Sequence, residues 1–144
     1  MDQKLKELID GLNEDLAHEY AASIMYTYYA ATVTGLYHRT PKPFFQGAGS
    51  DEQNHALYLA EKIQTLGGTP TTTPAPVKQI TDVKQMLEEA LQSEKDTIAR
   101  YEKRKQQAEE LGLTELAVKL EDMIADETHH AEELERILKD QHFA

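Results

Sequence analysis

Apolar positions recur along the chain in alternating steps of three and four, in four long stretches. The first runs Leu5, Ile9, Leu12, Leu16, Glu19, Ser23, Tyr26, Ala30 and Val33, a spacing that keeps one face of an α-helix in register. The second reads Phe45, Ala48, Glu52, His55, Leu59, Ile63 and Leu66, and the third Ile80, Val83, Leu87, Leu91, Glu94, Ile98 and Tyr101. The fourth reads Leu116, Leu120, Met123, Glu127, His130, Leu134 and Ile137. Breakers separate them at Gly35 to Pro43, at Gly67 to Pro76 and around Gly112. The pattern predicts an all-α fold of four helices in a single domain spanning 1–144. Each seam carries polar groups among its apolar ones.

The connections predict the topology. Short links near Pro41 and Gly112 join antiparallel neighbours. The link over 67–79, GGTPTTTPAPVKQ, is long and proline-rich. At about 3.3 Å per residue it reaches roughly 43 Å, and a helix of about 24 residues is roughly 36 Å long. It can therefore traverse a bundle, which predicts parallel second and third helices joined by a crossover.

Composition narrows the chemistry. The 144 residues hold 26 acidic against 15 basic ones, for a formal charge of −11. Such a balance repels nucleic-acid phosphates and anionic membrane surfaces and attracts cations. There is no cysteine, so disulfides, thiolate nucleophiles and iron–sulfur clusters are excluded, and any metal must use carboxylates and imidazoles. The start, Met1-Asp2-Gln3-Lys4, lacks the apolar core of a signal peptide, which leads to a cytoplasmic expectation.

Tyr20 to Tyr37 carries no charge over 18 positions, near the length of a membrane span. Its tyrosines, threonines and serine make it only moderately apolar. The better expectation is a helix buried on two sides, one against the core and one against a second copy, giving a homo-oligomer formed through the helix 1 region. The basic cluster Arg100, Lys103, Arg104 and Lys105 reads as a solvated helix face and supports no nucleic-acid partner. His129 is expected to be exposed, one residue off the ligand face, and His18, His38 and His142 have no supporting pattern.

The polar seam residues form a constellation. Glu52 and His55 are spaced i, i+3, as are Glu127 and His130, so each pair shares a helix face. The step along the chain from Glu52 to Glu127 is the same as from Glu19 to Glu94, from Tyr26 to Tyr101 and from Asp51 to Asp126. The chain is a pseudo-repeat that superposes two helical hairpins about a local two-fold axis. Four carboxylates buried together are strongly unfavourable without counter-charge. Two divalent cations balance four Glu charges, and two neutral imidazoles complete the donor set. Mixed oxygen and imidazole donors suit iron or manganese, and zinc also fits.

On these residues the sequence resembles the ferritin-like di-iron carboxylate family, in which two helices each supply a Glu and two others a Glu-x-x-His. All six positions are present, and the resemblance spans about residues 5 to 140, closest to bacterioferritin. It implies a ferritin-like four-helix bundle with a long crossover between helices 2 and 3. It also implies that Glu52 and Glu127 bridge two irons, that Glu19 and Glu94 are terminal ligands, and that His55 and His130 bind one iron each. Tyr26 and Tyr101 resemble the rubrerythrin-type tyrosines that hydrogen-bond a ligand carboxylate, and with Glu52 and Glu127 make up the expected catalytic set. Asp51 and Asp126 would orient the ligand histidines.

The implied activity is a non-haem ferroxidase that oxidises Fe2+ with O2 or peroxide and stores or detoxifies iron. A small dimeric di-metal peroxidase or oxidoreductase without mineral, and a non-enzymatic metal-binding bundle, are the alternatives. Where bacterioferritin has its haem-ligating methionine this chain has Gln53, so haem is not expected. Thr97 stands where rubrerythrins have a further Glu, and their Cys-rich domain is missing. Only the short run from Ala131 to Ala144 follows His130, too little for the fifth helix of large ferritin cages, which leaves a dimer, a twelve-subunit and a 24-subunit shell open.

Overall fold

The four seams become four helices in a computed structural model, which describes residues 2–33 and 39–140. Helix α1 spans Gln3–Thr32 and is capped by Asp2, whose carboxylate accepts a 3.1 Å hydrogen bond from Leu5 N. Helix α2, Pro41–Thr65, opens on a proline, whose missing N–H costs nothing in a first turn. Asp82 caps α3, Val83–Glu110, by accepting from Gln85 N at 3.0 Å. Helix α4 covers Thr114–Leu138, after a tight turn in which Gly112 takes φ 70°, a conformation that favours glycine.

Pairings between helices fix their directions. Tyr26 of α1 packs on Phe45 of α2 with ring centroids 6.0 Å apart, while Glu19 meets His55 further along, so α1 and α2 are antiparallel. Asp15 meets Arg104 and Tyr26 meets Glu94, so α3 also runs against α1. Helices α2 and α3 are therefore parallel, as the long link predicts. That link, residues 66–82, is an extended strap laid along α1. Asn13 Nδ2 donates to the Thr69 carbonyl at 3.1 Å, Thr71 N donates to Asn13 Oδ1 at 2.8 Å, and Ala75 N donates to the Ala17 carbonyl at 2.9 Å.

Two apolar clusters fill the ends of the bundle. One gathers Leu8, Leu12, Leu16, Leu59, Ile63, Leu116 and Leu120, and the other Met25, Tyr29, Phe45, Met86, Leu87 and Leu134. The polar seam residues lie between them. In α3 the buried face is Met86, Leu87, Ala90, Glu94, Thr97, Tyr101, Arg104 and Ala108. Leu91 and Ile98, which the hydrophobic pattern favours, are only half-buried, because Glu94 and Tyr101 set the phase and their steps pass through Ala90 and Thr97 instead. Ile80 precedes the helix, in the strap.

The uncharged stretch resolves into two faces as far as Val33, with Met25, Tyr26 and Tyr29 buried and Ile24 at 46% exposure. Its last positions and His38 fall in residues 34–38, outside the described residues, and so does His142. No helix among the described residues is long and apolar enough to cross a membrane.

Candidate metal centre

The i, i+3 spacing on α2 and α4 brings Glu52 beside His55 and Glu127 beside His130, and the antiparallel α1 and α3 supply Glu19 and Glu94. All six converge at mid-bundle, and no residue of the set is more than 8% exposed. They form two overlapping groups. His55 Nδ1 lies 3.8 Å from Glu19, 3.7 Å from Glu52 and 3.6 Å from Glu127. His130 Nδ1 lies 3.7 Å from Glu52, 3.5 Å from Glu94 and 3.4 Å from Glu127. Within each group one donor atom per residue falls within 4.8 Å of every other, and Glu52 and Glu127 belong to both. A pair of shared carboxylates between two histidine-bearing pockets could hold two cations.

Every outer contact is made across the pseudo-two-fold axis. The Tyr26 hydroxyl donates to Glu94 Oε1 at 2.5 Å, and the Tyr101 hydroxyl donates to Glu19 Oε1. Burial and the nearby Glu charges push both phenols well above their ordinary value, so both stay protonated as donors. Asp126 Oδ2 is 2.9 Å from His55 Nε2, and Asp51 Oδ2 is 2.8 Å from His130 Nε2. Each aspartate holds the histidine of the opposite hairpin. An Nε2–H held outward leaves Nδ1 as the inward donor.

The inward atoms have no hydrogen-bond partner among the described residues. Glu19 Oε2, Glu94 Oε2, both oxygens of Glu52 and of Glu127, and both Nδ1 atoms are buried without a hydrogen bond. Buried polar atoms are ordinarily satisfied, so an entire shell left open toward one point fits cation ligation. Electrostatics agree. Burial, with the charges of Glu19 and Glu127, pushes Glu52 well above the usual carboxylate range. Burial likewise lifts Glu94 to about 8 against the opposing pull of His130. Burial disfavours a charged imidazole, but the surrounding carboxylates prevail and raise His55 to about 9 and His130 to about 11. Burial works against a charged Glu127, but the facing His130 and His55 imidazoles and the neighbouring Glu52 and Glu94 carboxyls hold it low. The centre without cations is a partly protonated cluster, with protons standing in for metal charge.

Pattern reading missed one neighbour. Arg104 belongs to the basic cluster expected on a solvated face, yet it is 3% exposed and paired with the equally buried Asp15. Asp15 and Arg104 lie far apart in the chain, on α1 and α3, so no local spacing could join them. The other three members of that cluster are at least partly exposed. His129 is in water, with 83% of its side chain exposed, and His18 lies outside the centre, in a cleft against the strap.

Residues 9–142 match the ferritin-like domain model. The chain belongs to the ferritin-like family. A solved ferritin-like diiron-carboxylate protein of Bacillus anthracis is 67% identical to this ferritin-like chain, with a TM-score of 0.94 over 96% of this chain and 100% of that one. Desulfovibrio desulfuricans bacterioferritin, whose structure carries a diiron site, is 26% identical with a TM-score of 0.88, covering 96% of this chain and 83% of its own. A dodecameric, bacterioferritin-related thioferritin of Bacteroides fragilis is 25% identical with a TM-score of 0.87, covering 97% and 88%. None of the curated proteins matches the chain. As a ferritin-like chain it carries candidate ligand groups for a dinuclear metal centre in the middle of its bundle.

Proposed function

We propose that this chain is a non-haem ferroxidase that binds two irons per subunit through Glu19, Glu52, His55, Glu94, Glu127 and His130. The observation that carries the reading is the inward shell of unpartnered donors, arranged as two groups sharing Glu52 and Glu127. Fe2+ is the substrate, and each ion gives up one electron, so two ions together with two protons convert one hydrogen peroxide into two waters. Hard carboxylate oxygens favour the more highly charged ferric product. The protein's part is preorganisation. Tyr26 and Tyr101 hold the terminal carboxylates in place, Asp51 and Asp126 hold the imidazoles, and Glu52 and Glu127 together with Glu19 and Glu94 supply the four charges that two divalent cations balance.

The relatives support assembly as well. The Bacteroides fragilis relative is dodecameric, and in this chain Ile24 and Leu57 stand 46% and 61% exposed beside an apolar groove of about 560 Å³ between α1, α2 and the strap. A second copy of the chain covers that face in the proposed homo-oligomer.

The test is an aerobic titration of metal-free protein with Fe2+, followed by ferric absorbance and by recovery of soluble iron on size exclusion. Oxidation far beyond two irons per chain, eluting in a shell-sized fraction, is the expected outcome. Oxidation that stops near two per chain in a small oligomer identifies a di-metal oxidoreductase instead. Glu52→Ala should abolish rapid oxidation, and a variant that oxidises iron at the parent rate would refute the ligand assignment.

A further inference from the structure

The ligand set of the first hairpin recurs in the second at a fixed offset, Glu19 onto Glu94 and Glu52 onto Glu127, so other positions in the two hairpins have counterparts as well. The counterparts agree at the centre and diverge beside it. On the Glu19 side, Arg104 donates to the Asp15 carboxylate from Nε at 2.7 Å and from Nη2 at 3.1 Å, and Arg100 Nε lies 3.8 Å from the same group. Asp15 and Arg104 are 1% and 3% exposed. On the Glu94 side the three equivalent positions hold Ala90, Tyr29 and Met25, all buried in the apolar cluster. Gly11 makes the difference possible, because a Cβ there would collide with the Arg104 guanidinium. Its counterpart is the large Met86, buried with Tyr29 and Ala90.

The charges on the two sides do not match. Two arginines against one carboxylate leave a net positive charge beside the Glu19 group. Glu14 and Asp96, which act on His18 together with Arg100, are exposed, where water and salt screen them. On the Glu94 side the nearby acid Glu89 is paired with Lys78 at 3.5 Å. Arg100, whose side chain is 18% exposed, is only partly screened, so the excess charge acts through an intermediate effective dielectric.

We propose that the Arg100–Asp15–Arg104 cluster makes the two halves of the metal centre inequivalent, so that a divalent cation fills the Glu94/His130 group before the Glu19/His55 group. The proposal rests on the dinuclear reading above. A unit charge at an effective dielectric of about 20, acting over paths that differ by a few ångströms, discriminates between two positions for a divalent ion by roughly fivefold. Arg100 and Arg104 are positioning residues here, acting on the site through their field and touching no ligand.

Cobalt tests this without redox chemistry. Crystals of the full chain carrying one equivalent of Co2+ give the occupancy of each half directly from anomalous scattering. The expected result is several-fold higher occupancy at Glu94/His130. Arg100→Gln, which leaves the Asp15–Arg104 pair intact, should bring the two occupancies close to equal, and Arg100→Lys should restore the difference because it keeps the charge. Equal occupancies in the parent protein, a preference for Glu19/His55, or an Arg100→Gln ratio unchanged from the parent overturns the proposal. Cobalt bound elsewhere, with none at the six ligands, overturns the dinuclear reading itself and is distinguishable from all of these.

Discussion

Replacing Glu94 by glutamine separates the two roles of a buried carboxylate, as a burden on the empty fold and as a ligand. Glu94 is 1% exposed, and burial, opposed by His130 and reinforced by Glu127, lifts it from the ordinary 4.5 to about 8. An acid whose folded-state pKa exceeds its unfolded value costs stability above the unfolded pKa. The cost begins near pH 4.5, grows until about pH 8 and is constant beyond. At pH 7 the interval is about 2.5 pH units, or on the order of 3 kcal/mol. The amide of Glu94→Gln has no such cost and still accepts from the Tyr26 hydroxyl. Metal-free Glu94→Gln protein should therefore melt on the order of 10 °C above the parent at pH 7 and with it at pH 4.5. Adding Mn2+ reverses the comparison. A cation at one hundred times its Kd adds about 2.7 kcal/mol to the parent, and the variant, short of one anionic ligand, should gain far less. Thermal melts of both proteins at the two pH values, with and without Mn2+, read all of this. A metal-free variant less stable than the parent at pH 7, or equal Mn2+ shifts in the two proteins, would refute the reasoning.

Cation binding at pH 7 should release at least two protons per chain, because His55 and His130 titrate near 9 and 11 in the metal-free centre. Apparent affinity should accordingly rise with pH, and a titration in weakly buffered indicator solution that shows no acidification would sink the idea. The same two histidines stabilise the metal-free fold below about pH 6.5, a contribution lost as pH climbs through their raised values. Asp126→Ala frees His55 Nε2 from its 2.9 Å contact and should weaken Co2+ binding by about tenfold in isothermal titration, with little effect on melting because Asp126 is half exposed. Leu57→Glu places a charge on the exposed apolar face and should lower the assembly mass in analytical ultracentrifugation. An unchanged mass would move the interface elsewhere.

The bundle and the convergence of its candidate ligands were legible for the same reason: a helix writes its buried face at fixed intervals. Glu19, Glu52, His55, Glu94, Glu127 and His130 stand on seams whose apolar neighbours declare burial, and their recurrence at one constant step marks them as one set. Tertiary choices were not written that way. The pattern does not say which histidine each aspartate meets, and Asp51 reaches past His55, four residues away on its own helix, to His130 on α4. In α3 the ligand phase selects Ala90 and Thr97 over the more hydrophobic Leu91 and Ile98. Arg104 reads as surface because its burial depends on Asp15 and on the space above Gly11, both on another helix.

The crosswise contacts of the centre also bear on how the molecule comes apart. Neither hairpin holds a complete pocket: His55 of the first needs Glu127 of the second, and His130 needs Glu52. The tyrosines and aspartates likewise reach from one hairpin to the other. Peeling the hairpins apart therefore opens both pockets in one event, whichever helix moves first. Cations held there would be rivets through that seam, and the rate of their escape would be tied to the rate at which the halves of the bundle part.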